Sequence, residues 1–472
     1  VDRPSNTTSD QTPADSTLDR LPATAFASPP YHPPVSQVAP LSALFLDLNS
    51  YFASVEQQLN PALRNRPVAV VPVLADSGCC VAASYEAKAF GVKTGMRVRE
   101  ARSLCPDITF VKTQHRAYVE MHHRIIQAVE TCLPVEQVMS IDEMCCRLSP
   151  ADQTDAAARS LARKIKAAIA SRVGECLRCS IGIAPNRFLA KVATDMQKPD
   201  GLIIIRPADL PHCLYRLRLQ DLPGIGPRMA IHLEQAGINS VRELCSRSEA
   251  DLHNAWGSVV GRYWHTWLRG GETASRPSRR RSMGHQHVLG PASRNQEAAW
   301  AVVVRLLHKA SSRMRSLSYF AQRLCLSIKF TDQTGRAPRT AAWGWAGEPA
   351  PDTPSTPQRR TSWHADARLE GGRQDMLTLT QALHSLWKRR PPGTPAFVGV
   401  TLSELLPSTS VTAPLFAPDQ RREALSHLID QLDRKHGPLT VYAASMQSAK
   451  TKASGGIAFR YVPDLALPDT VT

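Results

Sequence analysis

Two acidic stretches about 95 residues apart constrain this chain more than any other feature in it. The first is Leu44-Phe45-Leu46-Asp47-Leu48-Asn49-Ser50-Tyr51-Phe52-Ala53-Ser54-Val55-Glu56. It reads as a short apolar run of the kind that forms a buried strand, an aspartate at the strand's exit, and a turn into helix. The second is Ser140-Ile141-Asp142-Glu143-Met144, an acidic pair at or near the turn between two strand-like runs, Val135 to Ile141 and Met144 to Leu148. Between the two sites Tyr118, Met121, Ile125, Val129 and Cys132 recur at helical spacing within 116–133. Beyond them Leu161, Ile165, Ala168 and Ile169 mark a second helix over 154–173, and Leu177 to Ile183 a further strand. The order β-α-β-β-α-β is the split βαβ pattern, in which the first two strands run parallel and the exit of the first lies beside the hairpin turn. Asp47, Asp142 and Glu143 are therefore expected to converge. Three carboxylates brought together repel one another unless cations lie between them, and oxygen-only ligands suit Mg²⁺. Two such ions close together are the usual machinery for in-line attack on a phosphate. Taken alone, Asp47 has an ordinary alternative as a helix-capping residue.

Further along, the residues carry a resemblance. The run Asp47 to Glu56 and Ser140-Ile141-Asp142-Glu143 resemble the two metal-binding motifs of the Y-family, or translesion, DNA polymerases. Ser84-Tyr85-Glu86-Ala87-Lys88 with Gly91-Val92-Lys93-Thr94-Gly95-Met96 resembles their fingers motif. Ser180-Ile181-Gly182-Ile183-Ala184-Pro185-Asn186, Leu189-Ala190-Lys191 and Lys198-Pro199-Asp200-Gly201 resemble their palm-to-thumb motif. The match runs in the family's order over residues 41 to 405, and the Asp-x-Asn form of the first motif resembles the bacterial SOS mutagenesis branch.

The resemblance implies an α+β right-hand polymerase with a split βαβ palm, small fingers, a helix-hairpin-helix thumb and an α/β little finger. The expected division is a disordered tail over 1–40, palm over 41–50 and 116–200, fingers over 51–115, and thumb over 201–270. A basic linker over 271–281, a little finger over 282–406 and a C-terminal extension over 407–472 complete it. The implied activity is template-directed, low-fidelity transfer of nucleotides from dNTPs to a primer 3′-hydroxyl past damaged DNA, without proofreading. Two Mg²⁺ ions are expected on Asp47, Asp142, Glu143 and the Leu48 carbonyl. Tyr85, Lys88 and Lys191 are expected on the nucleotide, and Phe52 at the steric gate that excludes a 2′-hydroxyl. Lys88 stands where the family more often has Arg, a point charge in place of a bidentate fork. Asn186 is expected to cap a helix whose apolar face, Leu189, Val192, Ala193 and Met196, leaves Lys191 off the core.

Leu222-Pro223-Gly224-Ile225-Gly226-Pro227 resembles the thumb's hairpin, and Met229 to Ala236 supplies the helix after it. Its two glycines allow a tight turn whose backbone N–H groups can hold a DNA phosphate. Arg276, Arg279, Arg280 and Arg281 begin a basic stretch. Between 276 and 405 there are 20 Lys and Arg against 8 Asp and Glu, about +12 of the chain's net +16. Charge of that sign points to a polyanion, and no long apolar or basic amphipathic segment supports a membrane in its place. Within this region 332–373 is rich in Pro, Gly, Thr and Arg and is expected to be a partly disordered insertion flanking edge strands. Its Trp343, Trp345 and Trp363 have two uses, stacking on bases or packing onto the sheet.

Thr412-Ala413-Pro414-Leu415-Phe416 keeps the Leu-Phe of the peptide with which relatives dock on a sliding clamp, but has Thr where Gln is usual. A linker packed on its own domain is the equal alternative. Other mutagenesis proteins are further expected partners, alongside primer-template DNA and dNTPs. The first 40 residues have neither a basic start nor an apolar core, so no signal peptide is expected, and the 11 scattered cysteines point to a reducing, cytoplasmic setting. Cys176 and Cys179 have CxxC spacing without a second pair, which favours a structural role over zinc or redox chemistry. Two rival functions are a non-catalytic scaffold of a mutagenesis complex and a purely structural helix-hairpin-helix DNA binder. The intact acidic residues weigh against both.

Overall fold

The computed structural model describes residues 40–74, 76, 78–274, 280–331, 362–412 and 416–449. Strand β1 (Ala43–Leu48) is buried along its whole length. It leads through Ser50, in the left-handed region at φ 47°, into α1 (Tyr51–Leu59). The chain then builds a separate small sheet from β2 (Val68–Val71), β3 (Ala82–Ala83) and β4 (Thr109–Lys112), in the order β3-β2-β4. Helices α2 (Tyr85–Ala89) and α3 (Val98–Leu104) close over it. Ala69, Val71, Cys80, Ala87, Val92 and Val98 form this insert's own core.

The main sheet resumes after α4 (His115–Glu130) with β5 (Gln137–Val138) and β6 (Glu143–Arg147). It is completed by α5 (Asp155–Arg172), β7 (Cys179–Ala184), α6 (Arg187–Met196) and β8 (Leu202–Ile204). Both of the last two long helices begin on a side-chain cap, Thr154 accepting from the Ala157 amide and Asn186 from the Leu189 amide at 2.8 Å. Sheet order is β5-β6-β1-β7-β8, with β1 antiparallel to both β6 and β7. Strands β1 and β5 therefore point the same way, as the split pattern requires, but β6 lies between them. The run Val135 to Ile141 yields only a two-residue ladder, because it lies at the sheet edge and turns at once into the acidic hairpin.

Alternation along β1 gives the sheet two cores. Leu44, Leu46 and Leu48 pack with Tyr118, Ile125, Leu161 and Ile165 of α4 and α5. Ala43 and Phe45 pack with Leu189 and Val192 of α6, in a cluster that continues into the helices α7 (Pro227–Gln235), α8 (Val241–Ser246), α9 (Glu249–Trp256) and α10 (Val260–Leu268). The element before the glycine turn is a single 3-10 turn, Leu219–Asp221, so the expected hairpin has one full helical arm, α7, and one short one.

A four-stranded antiparallel sheet follows, ordered β11-β10-β12-β9. It is made of β9 (Ser282–Val288), β10 (Tyr319–Phe330), β11 (Ser362–Arg373) and β12 (Pro395–Pro407), backed by α11 (Gln296–Ser316) and α12 (Met376–Lys388). The sequence places a partly disordered insertion over 332–373, yet its last twelve residues form a full strand paired to β10, so regular structure begins at Ser362. Residues 332–361, with Trp343 and Trp345, lie outside the described residues, as do 1–39 of the expected tail. Trp363 is half-buried and packs on the sheet's core, the second of its two uses. Helix α13 (Ala417–His436) is tied to α11 by Arg315, whose guanidinium donates to both Asp430 oxygens at 2.6 and 2.8 Å. All eleven cysteines are free; Cys179 is buried in β7, where burial pushes its thiol up to about 12. Among the described residues no helix is long and apolar enough to cross a membrane.

Candidate functional site

Asp47 belongs to the second face of β1, the face that looks towards α6. It does not stand at a solvent-facing strand end: β1 runs one residue further, and Asp47 is 6 % exposed. Nor does it cap α1, whose N-cap is Ser50. In the antiparallel register Asp47 lies directly opposite Glu143, the first residue of β6. The Leu48 amide donates to the Asp142 carbonyl at 2.8 Å, which fixes the hairpin turn against β1. The Asp142 carboxylate accepts the Ser140 hydroxyl at 2.5 Å. Two elements 95 residues apart thus meet as the split pattern requires.

Ammonium groups fill the space among these carboxylates. Lys191 on α6 pairs with Asp47 and, at 2.8 Å, with Glu143. Lys198, just past α6, pairs with Asp47 at 2.8 Å, and Asp195 holds both lysines at 3.2 and 2.8 Å. Lys191, expected on the nucleotide, is here paired with carboxylates: its side chain is 15 % exposed and turned into the acidic group. The electrostatics follow from crowding. Burial, with the Asp47 charge added, pushes the Asp142 carboxyl up to about 6. Burial acts on Asp47 too, but the Lys191 and Lys198 ammoniums outweigh it and hold that carboxyl below its ordinary value. Burial disfavours the Lys191 charge, yet Asp47, Asp195 and Glu143 together raise its pKa.

Among the described residues no three His, Cys, Asp or Glu side chains stand ready-made as a metal-ligand set. The Lys191 ammonium is the informative stand-in. One cation touches Asp47 and Glu143 at once, so the pair is spaced to share a cation, and its all-oxygen donors suit a hard divalent ion.

Around this centre a cleft of about 2850 Å³ opens between the small insert and the helices α7 and α10. On the insert side Lys88 donates to the Ser50 hydroxyl at 2.7 Å and lies 4.4 Å from the centre of the Tyr85 ring. Burial and the neighbouring Lys198 charge lower the Lys88 pKa, so Tyr85, Lys88 and Lys198 share one corner. Phe52 lines the cleft floor, 5 % exposed and stacked on Tyr118 with ring centroids 4.2 Å apart. Tyr51, the neighbouring aromatic, turns its hydroxyl away to the Tyr118 carbonyl at 2.6 Å.

On the opposite wall lie Gly224 and Gly226. Gly224 has φ 103°, which an L side chain would resist, and Gly226 caps α7 with no atom within 4 Å of where a Cβ would be. Open space at a helix N-terminus leaves room for a phosphate. Arg280 and Arg281 lead into β9, the Arg281 carbonyl accepting from Leu405 at 3.4 Å, while Arg276 and Arg279 lie outside the described residues. Of the Leu-Phe pair, Leu415 lies outside them and Phe416 is 72 % exposed. Sequence reasoning passed over Lys198, Asp195 and Ser50 as site residues. A signal was present for two of them, since Lys191, Asp195 and Lys198 repeat at the i, i+4, i+7 spacing of one helix face.

A family model described as the impB/mucB/samB family matches residues 46–195, and one for that family's C-terminal domain matches 280–415. The DNA polymerase IV of Moorella thermoacetica is 33% identical over 410 residues, covering 85% of this chain and 95% of that protein. The DNA polymerase IV of Pelotomaculum thermopropionicum is 31% identical over 407 residues, with 85% and 94% covered. A Bacillus subtilis protein, DNA polymerase IV 1, is 28% identical over 422 residues, with 87% and 94% covered. The solved structure of a Y-family DNA polymerase chimera superposes with a TM-score of 0.60 at 24% identity, covering 78% of this chain and 100% of that one, a likeness of fold.

Proposed function

This chain belongs to the impB/mucB/samB family and is a Y-family translesion DNA polymerase, and we propose that the cleft between β1, β6 and α6 is where it adds nucleotides to a primer. The observation that carries the proposal is the meeting of Asp47, Asp142 and Glu143 at one end of the main sheet, beside the corner of Tyr85, Lys88 and Lys198. The family works with a divalent metal, primer-template DNA and a nucleotide; the finer assignment is two Mg²⁺ ions on Asp47, Asp142, Glu143 and the Leu48 carbonyl. Bound there, such ions lower the pKa of the primer 3′-hydroxyl and offset charge on the triphosphate and leaving pyrophosphate.

The chain's own residues do the rest. Lys88, Lys198 and the Tyr85 hydroxyl converge where the triphosphate lies, and fixed cations there orient it for in-line attack by the 3′-oxygen. The new bond joins that oxygen to the α-phosphorus as the α–β bridging bond breaks and pyrophosphate departs. Lys191 neutralises Asp47 and Glu143, and with those carboxylates holding ions it would be the ammonium left for the substrate's phosphates. Phe52 closes the space beneath the sugar. The turn at Gly224 and Gly226, with Arg279, Arg280 and Arg281, holds backbone phosphates without reading sequence. The division into palm, fingers, thumb and little finger is proposed along the boundaries given by the sequence, supported by the insert's separate core and the second sheet's separate core. A sliding-clamp contact at Leu415 and Phe416 is proposed as well, supported by the exposure of the Phe416 ring.

Primer extension with Mg²⁺ tests the assignment. Asp142→Ala and Glu143→Ala are expected to abolish extension while primer-template binding stays near wild type, because phosphate contacts elsewhere supply the affinity. Extension at the normal rate by either variant refutes the assignment. Extension absent from the wild-type chain, with DNA binding intact, supports the scaffold alternative.

A further inference from the structure

The acidic hairpin is held from two sides, and only one hold comes from the sheet. The Asp142 carbonyl accepts the Leu48 amide of β1 at 2.8 Å. The preceding carbonyl, that of Ile141, points the other way, where His122 of α4 meets it with Nδ1 at 2.8 Å. Both residues are fully buried, so without this contact the Ile141 oxygen has no water to turn to. A carbonyl can only accept, so Nδ1 carries the proton and the imidazole is the neutral Nδ1–H tautomer. The other ring nitrogen, Nε2, is buried with no hydrogen-bond partner among the described residues. Leaving a ring nitrogen unpaired inside a protein is unfavourable, because the group has lost its water and gained nothing in return. An apolar side chain would avoid that cost, so the hydrogen bond at Nδ1 is what the position gains from histidine.

One turn earlier on the same helix face, Tyr118 stacks on Phe52. Its hydroxyl donates to Glu56 at 2.6 Å and its carbonyl accepts Tyr51 at 2.6 Å. Spacing i, i+4 places the two residues one above the other. One side of α4 thereby backs both the floor under the nucleotide and the turn that carries Asp142.

We propose that His122 is a positioning residue for divalent-metal binding: its Nδ1–H fixes the Ile141 carbonyl, and through it the orientation of Asp142 and Glu143. The inference rests on the assignment of Asp142 as a ligand. Groups that orient ligands from behind typically cost about 10–100-fold in metal affinity when removed.

The test measures Mn²⁺ bound by the full chain in complex with a dideoxy-terminated primer-template and the matching dNTP, from the electron paramagnetic resonance signal of the free ion. His122→Asn puts an amide N–H near the place of Nδ1, whereas His122→Gln carries its N–H near the place of Nε2, which finds no acceptor among the described residues. His122→Leu removes the donor altogether. The Gln and Leu variants are expected to bind Mn²⁺ at least about tenfold more weakly than wild type, with Asn within about threefold of it and DNA affinity unchanged in all three. Equal Mn²⁺ affinity in the Asn and Gln variants overturns the proposal, and this comparison decides it even if the Leu variant fails to fold. The assignment beneath it is read separately: if Asp142→Ala binds Mn²⁺ as wild type does, the ligand reading falls and the proposal with it.

Discussion

Replacing Phe52 tests its proposed place beneath the nucleotide most sharply, because the ring is buried and stacked. It lies on Tyr118 with planes 12° apart and centroids 4.2 Å apart. Tyr118 is itself fixed, its hydroxyl on Glu56 at 2.6 Å, and Glu56 in turn accepts Gln114 at 2.8 Å. A 2′-hydroxyl pressed onto this stack must displace close-packed atoms, and overpacking of that kind costs about 1–3 kcal/mol. At about 1.4 kcal/mol per factor of ten, this corresponds to about 5- to 150-fold discrimination. Phe52→Ala is therefore expected to raise the ratio of kcat/KM for a ribonucleotide to that for the matching deoxyribonucleotide by a factor in that range. The same change removes a buried ring at a cost of about 3–5 kcal/mol, so thermal unfolding is followed in parallel. Phe52→Leu, which keeps more of the apolar volume, is expected to show a smaller rise. Single-nucleotide incorporation on one template with each nucleotide in turn supplies both constants. If both fall together and their ratio stays within about twofold of wild type, Phe52 only anchors the insert to the main sheet and the reasoning fails.

Stability carries a second signature of the site. Burial and the Asp47 charge push the Asp142 carboxyl from 3.8 up to about 6, so across that interval the unfolded chain has lost a proton that the folded protein keeps. With a chelator present, this group's contribution is complete below the lower value and falls as pH rises, by at most about 1.4 kcal/mol per pH unit. Denaturant unfolding across the window should show the slope flatten in Asp142→Asn, and an unchanged slope contradicts the burial argument. DNA binding is expected to weaken steeply with salt and to be nearly indifferent to sequence if, as proposed, the basic region addresses phosphates; a flat salt response in a filter-binding series refutes this. Replacing Leu415 and Phe416 together with Ala should leave distributive synthesis unchanged while reducing stimulation by a sliding clamp, and equal stimulation of both proteins rejects the contact.

Much of this molecule is written locally. Apolar periodicity placed α4 and α5, and Thr154 and Asn186 cap their helices as short polar side chains before an apolar run do. The two acidic stretches and the split pattern between them were enough to bring Asp47 beside Glu143, since strand order follows from connection rules that act on the whole chain. What local pattern could not state was which way each side chain turns once both faces of β1 are covered. Asp47 looked like a strand exit because a carboxylate is expected near water; it is buried because α6 brings Lys191 and Lys198 to meet it, and a charge can be buried when it is paired. Lys191 was placed off the core, and its carboxylate partners went unread because they lie 144 and 48 residues away in sequence. The back of the site is the clearest case. Nothing near His122 marks it, because its meaning lies in a carbonyl 19 residues away that only packing of α4 against the hairpin brings within 2.8 Å. Sequence determined the elements and the chemistry at their ends; the tertiary structure alone decided which buried polar groups would face one another, because hydrogen bonds and ion pairs across a core depend on distances that no local pattern encodes.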